Sequence, residues 1–166
     1  ASTALATLER HAQAQGGMGL VISKTLAILW DDYDYVLIDS PPVLGVLMIN
    51  ALAACQQLVI PVQTEFLAIK GLERMVRTLT MINRARKRPV PFLIVPTLFD
   101  RRTQASNKSL RSLKDTYEEL VWHSVIPVDT KLRDASTAGI APSALDPNAR
   151  GIKAYASLVD SLLKPA

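Results

Sequence analysis

Short, largely apolar runs alternate along this chain with longer segments of helical periodicity, and this alternation limits the folds open to it. The runs are Val36–Ile38, Leu58–Val62, Phe92–Val95 and Ser124–Ile126, and the longest helical segment is Ala68–Arg86. Continuous apolar runs this short are typical of strands covered on both faces, and strands joined by helices lie parallel to one another. The sequence therefore predicts an α/β fold with a mostly parallel sheet and helices on both faces.

The composition fits one domain in a reducing compartment. A chain of 166 residues, 49% of them hydrophobic, can bury its own core, so we expect residues 1–166 to form a single α/β domain. Cys55 is the sole cysteine and excludes an intramolecular disulfide, while His11 and His123 stand too far apart to suggest a zinc site. No apolar run approaches the roughly 20 residues of a membrane span, so we expect a soluble cytoplasmic protein.

Charge is distributed unevenly along the chain. The segment Lys70–Lys114 contains twelve Lys or Arg residues and two acids, Glu73 and Asp100, so its formal charge is +10, whereas the rest has seven basic and thirteen acidic residues and carries −6. Such a field favours an anionic partner, with nucleic acid first and anionic lipid second. The alternative is that these cations only solvate the outer faces of helices.

Asp39 follows the run Val36–Ile38, at the carboxyl end of the strand predicted there. Open parallel sheets bind their ligands at this end. In P-loop ATPases an aspartate so placed, at the Walker B position, holds Mg²⁺ through water beside the nucleotide phosphates. The alternative is a plain turn, because the Asp-Ser-Pro-Pro sequence of residues 39–42 also favours turns. Both readings are open on these residues alone.

A phosphate-binding loop is the second part that a P-loop ATPase needs. Such a loop is rich in glycine, lies between a strand and a helix, and cradles phosphates with backbone N–H groups and a lysine. The segment Gly16–Thr25 has glycines and ends in Lys24-Thr25, but no glycine directly precedes Lys24 and a helical pattern, not a strand, comes before it. We therefore expect this chain to lack a phosphate loop.

Several motifs occur in an order that resembles the ParA/Soj (MinD-like) family of deviant-Walker partition ATPases. They are Tyr33–Pro42, Ile60–Ala68, Thr97–Thr103, Ile126–Pro127 together with Leu132–Ala135, and Asp146–Gly151. Each motif is weak alone, and their shared order is the stronger signal. The resemblance implies an incomplete P-loop NTPase fold of the SIMIBI type, with the chain matching the C-terminal two-thirds of a longer ATPase whose Walker A loop precedes it.

The resemblance also implies roles for individual residues around ATP and Mg²⁺. Asp39 matches the Walker B aspartate, the catalytic residue that contacts Mg²⁺ through water, and Ser40, Pro41 and Pro42 match the switch segment that responds to the γ-phosphate. The residues implied near the adenine are Leu98, Phe99, Pro127 and Asp129. Because the phosphate loop is expected to be missing, we expect ATP hydrolysis by the intact parent and none by this chain alone.

The function implied is ATP-dependent partitioning or polar positioning of a plasmid, a chromosome or a chemosensory cargo. Implied partners are nonspecific DNA, a second copy in a homodimer, and a ParB-like or scaffold protein that stimulates hydrolysis, at the nucleoid or a cell pole and not at a membrane. The DNA-facing candidates are Arg74, Arg77, Arg102, Lys108 and Arg111. The alternative is a non-catalytic interaction module that binds DNA or a protein scaffold without nucleotide.

Overall fold

A computed structural model describes residues 20–41, 45–84, 86 and 88–163, which include helices and two short parallel strands. Pro42, the glycine segment Gly16–Gly19 and the last three residues lie outside the described residues. The helices are α1 (Val21–Ile28), α2 (Val46–Ala54), α3 (Phe66–Arg84), α4 (Gln104–Tyr117), α5 (Thr130–Ala138), α6 (Pro142–Leu145) and α7 (Arg150–Leu163), and the strands are β1 (Leu58–Gln63) and β2 (Phe92–Thr97). In the part of the chain so described, no helix is both long and apolar enough to cross a membrane.

Strands β1 and β2 pair with each other in parallel. The N–H of Leu58 donates to the carbonyl of Pro91 at 3.0 Å, and the N–H of Thr64 donates to the carbonyl of Thr97 at 3.1 Å. Both pairs have the same sequence separation, as a parallel register requires, and the nineteen-residue helix α3 makes the crossover between the strands. The predicted parallel sheet is therefore confirmed.

The predicted strand Ser124–Ile126 is replaced by isolated contacts along the other side of β2. The N–H of Trp122 donates to the carbonyl of Ile94, and that of Ile126 donates to the carbonyl of Pro96, each at 2.8 Å. From the first bond to the second, this segment advances by four residues, whereas β2 advances by two. The surplus residues bulge out and interrupt the ladder, so that isolated parallel bridges form in place of a continuous strand.

The predicted buried strand Val36–Ile38 is wrong for this structure. Residues 35–41 have no regular secondary structure, the Leu37 side chain is 98% exposed, and Val36 is 50% exposed. A strand exists only where a neighbour satisfies its N–H and C=O groups. Among the described residues no strand pairs with this segment, so its apolar pattern alone does not make it a strand or bury it.

Contacts divide the chain into two compact units. The first comprises Ala1–Leu58 and Asn83–Pro91, and the second comprises Val59–Ile82 and Phe92–Ala166. The second unit has a buried cluster made by the centre of β2, the segment after α4 and the inner face of α7, namely Val95, Trp122, Ile126 and Leu158. A single domain over residues 1–166 stays a prediction.

Asn50 organises the described part of the first unit. Its Oδ1 accepts a hydrogen bond from the N–H of Val21 at 2.8 Å, and its Nδ2 donates to the carbonyl of Val46 at 2.9 Å. The side chain is buried between α1 and α2 and satisfies an N–H at the start of α1 that has no partner within that helix. One amide group therefore fixes the approach of these two helices.

Candidate functional site

The carboxyl ends of the parallel segments in the second unit meet at one edge. The N–H of Phe99 donates to the carbonyl of Ile126 at 3.1 Å, and the N–H of Val128 donates to the carbonyl of Phe99 at 3.0 Å. These bonds place Phe99 beside Pro127 in a parallel bridge. The structure thus brings together Leu98, Phe99 and Pro127, three of the residues implied near adenine, at the edge where open parallel sheets bind ligands.

Leu98 holds an unusual backbone conformation within this edge. Its φ is +50°, in the left-handed region that residues with a Cβ rarely adopt, and its side chain is about half exposed. Such strain persists only where the surroundings fix the backbone. The Thr64 hydroxyl, at the end of β1, lies 3.5 Å from the carbonyl oxygens of both Thr97 and Leu98. This contact ties the strained residue to the neighbouring strand.

A buried hydroxyl pair extends the same tie to α4. Thr64 Oγ1 and Ser106 Oγ are 2.6 Å apart, and Ser106 Oγ accepts the N–H of Asp100 at 3.1 Å. Each hydroxyl has one hydrogen to donate, so one order of donation satisfies every group. The Asp100 N–H donates to the Ser106 hydroxyl, which donates to the Thr64 hydroxyl, and Thr64 donates to the carbonyl of Thr97 or Leu98. Sequence reasoning missed this pair, since its members are 42 residues apart and nothing in the motif Ile60–Ala68, which contains Thr64, points to Ser106.

Asp129 is engaged on both carboxylate oxygens. Oδ1 accepts the N–H of Lys131 at 3.0 Å, which caps α5, and Oδ2 accepts the N–H of Gly151 at 2.8 Å, at the start of α7. These backbone bonds, that from Gly151 above all, hold the pKa of the Asp129 carboxyl below its usual range. The geometry shows a residue that joins two helix N-termini, and a nucleotide-binding role for Asp129 stays a prediction.

The described part of the predicted Walker B segment, residues 33–41, belongs to the first unit. Asp39 and Pro41 are exposed and Ser40 is half-buried. One exposed carboxylate fits a water-mediated contact to Mg²⁺, which retains waters and takes one or two carboxylates beside nucleotide phosphates. Across residues 20–41, 45–84, 86 and 88–163, no group of three or more His, Cys, Asp or Glu residues is arranged to hold a metal ion. Asp39 alone would therefore need phosphate oxygens to complete the coordination.

The fit to ATP differs between the two ends of the nucleotide. Half-exposed Leu98 with partly buried Phe99 and Pro127 offers an apolar surface of the kind that takes a purine ring. A phosphate cradle needs several backbone N–H groups that converge on the anion, usually in a glycine-rich loop before a helix. The described residues show no such loop, so they fit the base and leave the phosphates to groups elsewhere.

The basic candidates lie on two exposed helix faces of the second unit. Arg74 and Arg77 are exposed on α3, and Lys108 and Arg111 are exposed on α4. Burial raises the pKa of the Tyr117 hydroxyl, and the Glu73 carboxylate raises it further while Arg77 and Lys70 oppose this. These charges can act on Tyr117 only if the last turn of α4 lies near the first half of α3. We call the exposed cations Arg74, Arg77, Lys108 and Arg111 together the α3–α4 face.

Arg102 differs from the other basic candidates because it is already paired. Its Nε and Nη2 donate to the two carboxylate oxygens of Asp100 at 2.9 and 2.8 Å, while its backbone N–H donates to Oδ1 at 3.0 Å. The other ion pair among the described residues joins Lys70 to Glu73 at 2.8 Å. Both acids of the basic segment Lys70–Lys114 thus serve as internal counter-ions.

Comparison with known proteins places these features in a family. A family model described as an AAA domain matches residues 1–91, more than half of the chain. The chromosome-partitioning ATPase Soj of Treponema pallidum is 30% identical over 145 residues, covering 87% of this chain and 57% of the relative. The sporulation initiation inhibitor protein Soj of Bacillus subtilis is 32% identical over 138 residues, covering 82% and 54%. This chain thus spans about half the length of the curated relatives it matches.

A solved structure supports the fold. Cobyrinic acid a,c-diamide synthase from Mycobacterium smegmatis, with bound ATP analog and magnesium, has a TM-score of 0.78 and 30% identity, covering 98% of this chain and 60% of that one. The likeness confirms an α/β fold of the P-loop NTPase type, of which this chain covers a part. This chain belongs to the ParA/Soj family of P-loop ATPases.

Proposed function

We propose that this chain acts in ATP-dependent partitioning, as the portion of a ParA/Soj-type ATPase that contacts the adenine and nonspecific DNA. The observation that carries the proposal is the loop Leu98–Arg102, which leads directly from the apolar edge beside Pro127 to the start of α4 on the basic face. A nucleotide base on the first part and DNA on the second would both touch one short, tightly bonded segment.

The α3–α4 face supports the DNA part of the proposal. Arg74 and Arg77 are exposed about one turn apart on α3, and Lys108 and Arg111 are exposed about one turn apart on α4. Cations that neutralise phosphates release counter-ions, which makes nonspecific binding strong at low salt and weak at high salt. The face has no need of base-specific contacts, in keeping with a protein that moves over DNA of any sequence.

The remaining parts of the proposal follow from family membership. In the intact protein Asp39 would hold Mg²⁺ through water, and the segment from Ser40 to Pro42 would respond to the γ-phosphate. A homodimer would hold the DNA-binding state, and a ParB-like or scaffold protein would stimulate hydrolysis and release it. The cargo is then a plasmid, a chromosome or a chemosensory assembly, carried at the nucleoid or a cell pole.

A salt series on DNA binding tests the DNA part of the proposal. Fluorescence anisotropy with a labelled duplex of arbitrary sequence should show a steep linear fall of log affinity with log salt. The double variant Arg74→Gln/Arg77→Gln should flatten that slope by about 1.8, since each lost phosphate contact removes about 0.9.

The matched control is Arg133→Gln/Lys153→Gln, which removes the same charge from exposed positions on α5 and α7. It should leave the slope close to that of the unchanged chain. Equal effects of the two double variants, or binding that ignores salt, would refute a DNA-binding role for the α3–α4 face.

Titration with a fluorescent ATP analogue, with and without Mg²⁺, tests the nucleotide part. We expect weak, Mg²⁺-insensitive binding to this chain that Phe99→Ala removes, because only the base end has its contacts among the described residues. Binding that Phe99→Ala leaves unchanged would refute the placement of adenine at this edge. Tight Mg²⁺-dependent binding would show that the chain also holds the phosphates.

A further inference from the structure

The Asp100–Arg102 pair is built more firmly than an ordinary surface ion pair. Two side-chain N–H groups of Arg102 meet the two oxygens of one carboxylate, at 2.9 and 2.8 Å, in the fork geometry that the guanidinium also uses to bind phosphate. The Arg102 side chain is 81% exposed, whereas that of Asp100 is only 23% exposed. The arginine faces outward, and the carboxylate sits behind it in the protein surface.

The carboxylate is also anchored through its own backbone. The N–H of Asp100 donates to Ser106 Oγ, and its carbonyl accepts from the N–H of Thr103 at 3.1 Å. Ser106 is itself fixed by the buried contact with Thr64. These bonds fix the Asp100 backbone, and the Arg102 backbone N–H also holds the carboxylate through Oδ1, so an incoming phosphate must compete with a carboxylate that is already in position.

We propose that Asp100 competes with DNA phosphate for Arg102 and so limits the affinity of the α3–α4 face, an inference that rests on the proposed DNA-binding function. In the unchanged protein Arg102 contributes little to DNA binding, because its fork is occupied. Removing the Asp100 charge frees the fork for a phosphate. The exposed cations of α3 and α4 bind phosphate without such a competitor, whereas Arg102 stays bonded to Asp100.

The Lys70–Glu73 pair provides a matched comparison. Glu73 lies on the same segment and its loss changes the net charge by the same amount, but it contacts the single Nζ of Lys70 one helical turn away. Lys70 has a flexible stem and Nζ is also 5.7 Å from the centre of the Phe66 ring. Releasing Lys70 creates no fork, so Glu73→Gln reports the general effect of removing one negative charge.

The test is a cycle of four proteins in the anisotropy assay: the unchanged chain, Asp100→Asn, Arg102→Gln and the double variant. Asparagine keeps an oxygen that can accept the Arg102 backbone N–H, so the loop is preserved. Asp100→Asn should raise affinity about threefold to fivefold, the factor expected when a good surface pair no longer competes, and should steepen the salt slope by about 0.9.

The other members of the cycle separate competition from simple charge. Arg102→Gln should change affinity less than about twofold in the unchanged background and should cancel the whole gain in the Asp100→Asn background. Glu73→Gln should give a smaller gain that Arg102→Gln does not cancel. This pattern would establish that the gain in DNA affinity comes from phosphate binding by the freed Arg102 guanidinium.

Several results would overturn the inference. If Asp100→Asn raises DNA affinity no more than Glu73→Gln does, and the double variant with Arg102→Gln keeps that gain, the effect is one of net charge alone. If Asp100→Asn weakens binding, Asp100 orients Arg102 toward phosphate and does not compete with it. If none of the proteins binds DNA at low salt, the proposed function itself fails, which is a different result from binding that is indifferent to Asp100.

Discussion

The hydroxyl oxygens of Thr64 and Ser106 lie 2.6 Å apart, and each side chain is only 5% exposed. This single contact connects the end of β1 to the first turn of α4. Through the Asp100 N–H and the carbonyls of Thr97 and Leu98 it also fixes the loop that contains Leu98. The geometry of the apolar edge therefore depends on two small polar side chains far apart in sequence.

Thr64→Val should lower the free energy of unfolding by about 1 to 3 kcal/mol, because the buried Ser106 hydroxyl, which still accepts the Asp100 N–H, loses the oxygen to which it donates. Valine has nearly the same shape, so loss of the hydrogen bond and not a cavity is what the substitution reports. Urea unfolding followed by circular dichroism measures the change.

Two further variants check this assignment. Thr64→Ser keeps the hydroxyl and should recover most of the lost stability, whereas the double variant Thr64→Val/Ser106→Ala should cost less than the sum of the single changes because their effects share one bond. Strict additivity would show that the two hydroxyls act independently.

Asp129→Ala should destabilise the protein by about 1 to 2 kcal/mol, since one carboxylate caps α5 and also holds the first turn of α7. Asp134→Ala, at an exposed position within α5, is the control and should change stability by less than about 0.5 kcal/mol. Thermal unfolding of both variants makes the comparison. Similar melting temperatures for the two variants would argue against the double cap.

Segments whose structure depends on local pattern were predictable from the sequence. The predicted helix Ala68–Arg86 is found two residues earlier, as Phe66–Arg84. In this helix Leu72 and Leu79 are buried, and the basic residues Arg74 and Arg77 between them are exposed. Helical periodicity is a property of the segment itself, so it can be read without knowing its neighbours.

Strands and the site depended on partners that the sequence does not reveal. Val36–Ile38 has a strand composition but, in the part of the chain described, no strand to pair with, and Ser124–Ile126 pairs unevenly with β2. Family motifs pointed to Leu98, Phe99 and Pro127, which the backbone bonds bring together. The Thr64–Ser106 contact and the bonds of Asp129 to two helix N-termini come from packing between segments that are distant in sequence, and no motif predicts such packing.

Leu37→Ser provides a direct test of the corrected segment. Because this side chain is 98% exposed, the change should alter the free energy of unfolding by less than about 0.5 kcal/mol. The control Leu113→Ser, at a fully buried position in α4, should cost several times more, about 3 kcal/mol or above. A loss at Leu37 comparable with that at Leu113 would show that the segment is buried after all.

Acid should weaken the Asp100–Arg102 pair within a narrow range. The side-chain hydrogen bonds from Arg102, followed by its backbone N–H, lower the pKa of Asp100 from 3.8 to about 2. A carboxyl whose pKa is lowered by folding contributes stability that is fully present above the unfolded value and is lost as pH falls through the folded value. The stabilisation of the fold by the Asp100–Arg102 pair should therefore persist above about pH 4 and disappear between about pH 4 and pH 2.

Unfolding measurements across this range compare the unchanged chain with Asp100→Asn. The stability difference between them should be constant near neutral pH and should shrink toward zero as the pH approaches 2. Arg102→Gln should show the same convergence, because the lowered pKa depends on that guanidinium. A difference that stays constant down to pH 2 would contradict the pairing.

Gly151→Ala should destabilise the protein although alanine favours helices. A Cβ at this position would lie 3.1 Å from Asp129 Cβ and 3.1 Å from Leu132 Cδ1, closer than ordinary contact. The gain in helix propensity is at most about 1 kcal/mol, whereas overpacking costs about 1 to 3 kcal/mol. The cost of overpacking should exceed the gain in helix propensity, so the free energy of unfolding should fall by about 1 kcal/mol, measurable by urea unfolding.

The matched control is Gly71→Ala within α3. A Cβ there would have nothing within 4 Å, and the residue is exposed, so only the gain in helix propensity remains. This variant should be more stable by about 0.5 to 1 kcal/mol. Opposite signs at the two glycines would show that α7 packs against Asp129 and Leu132 so tightly that only glycine fits. An equal gain at both positions would mean that α7 can move away from the α5 cap without cost.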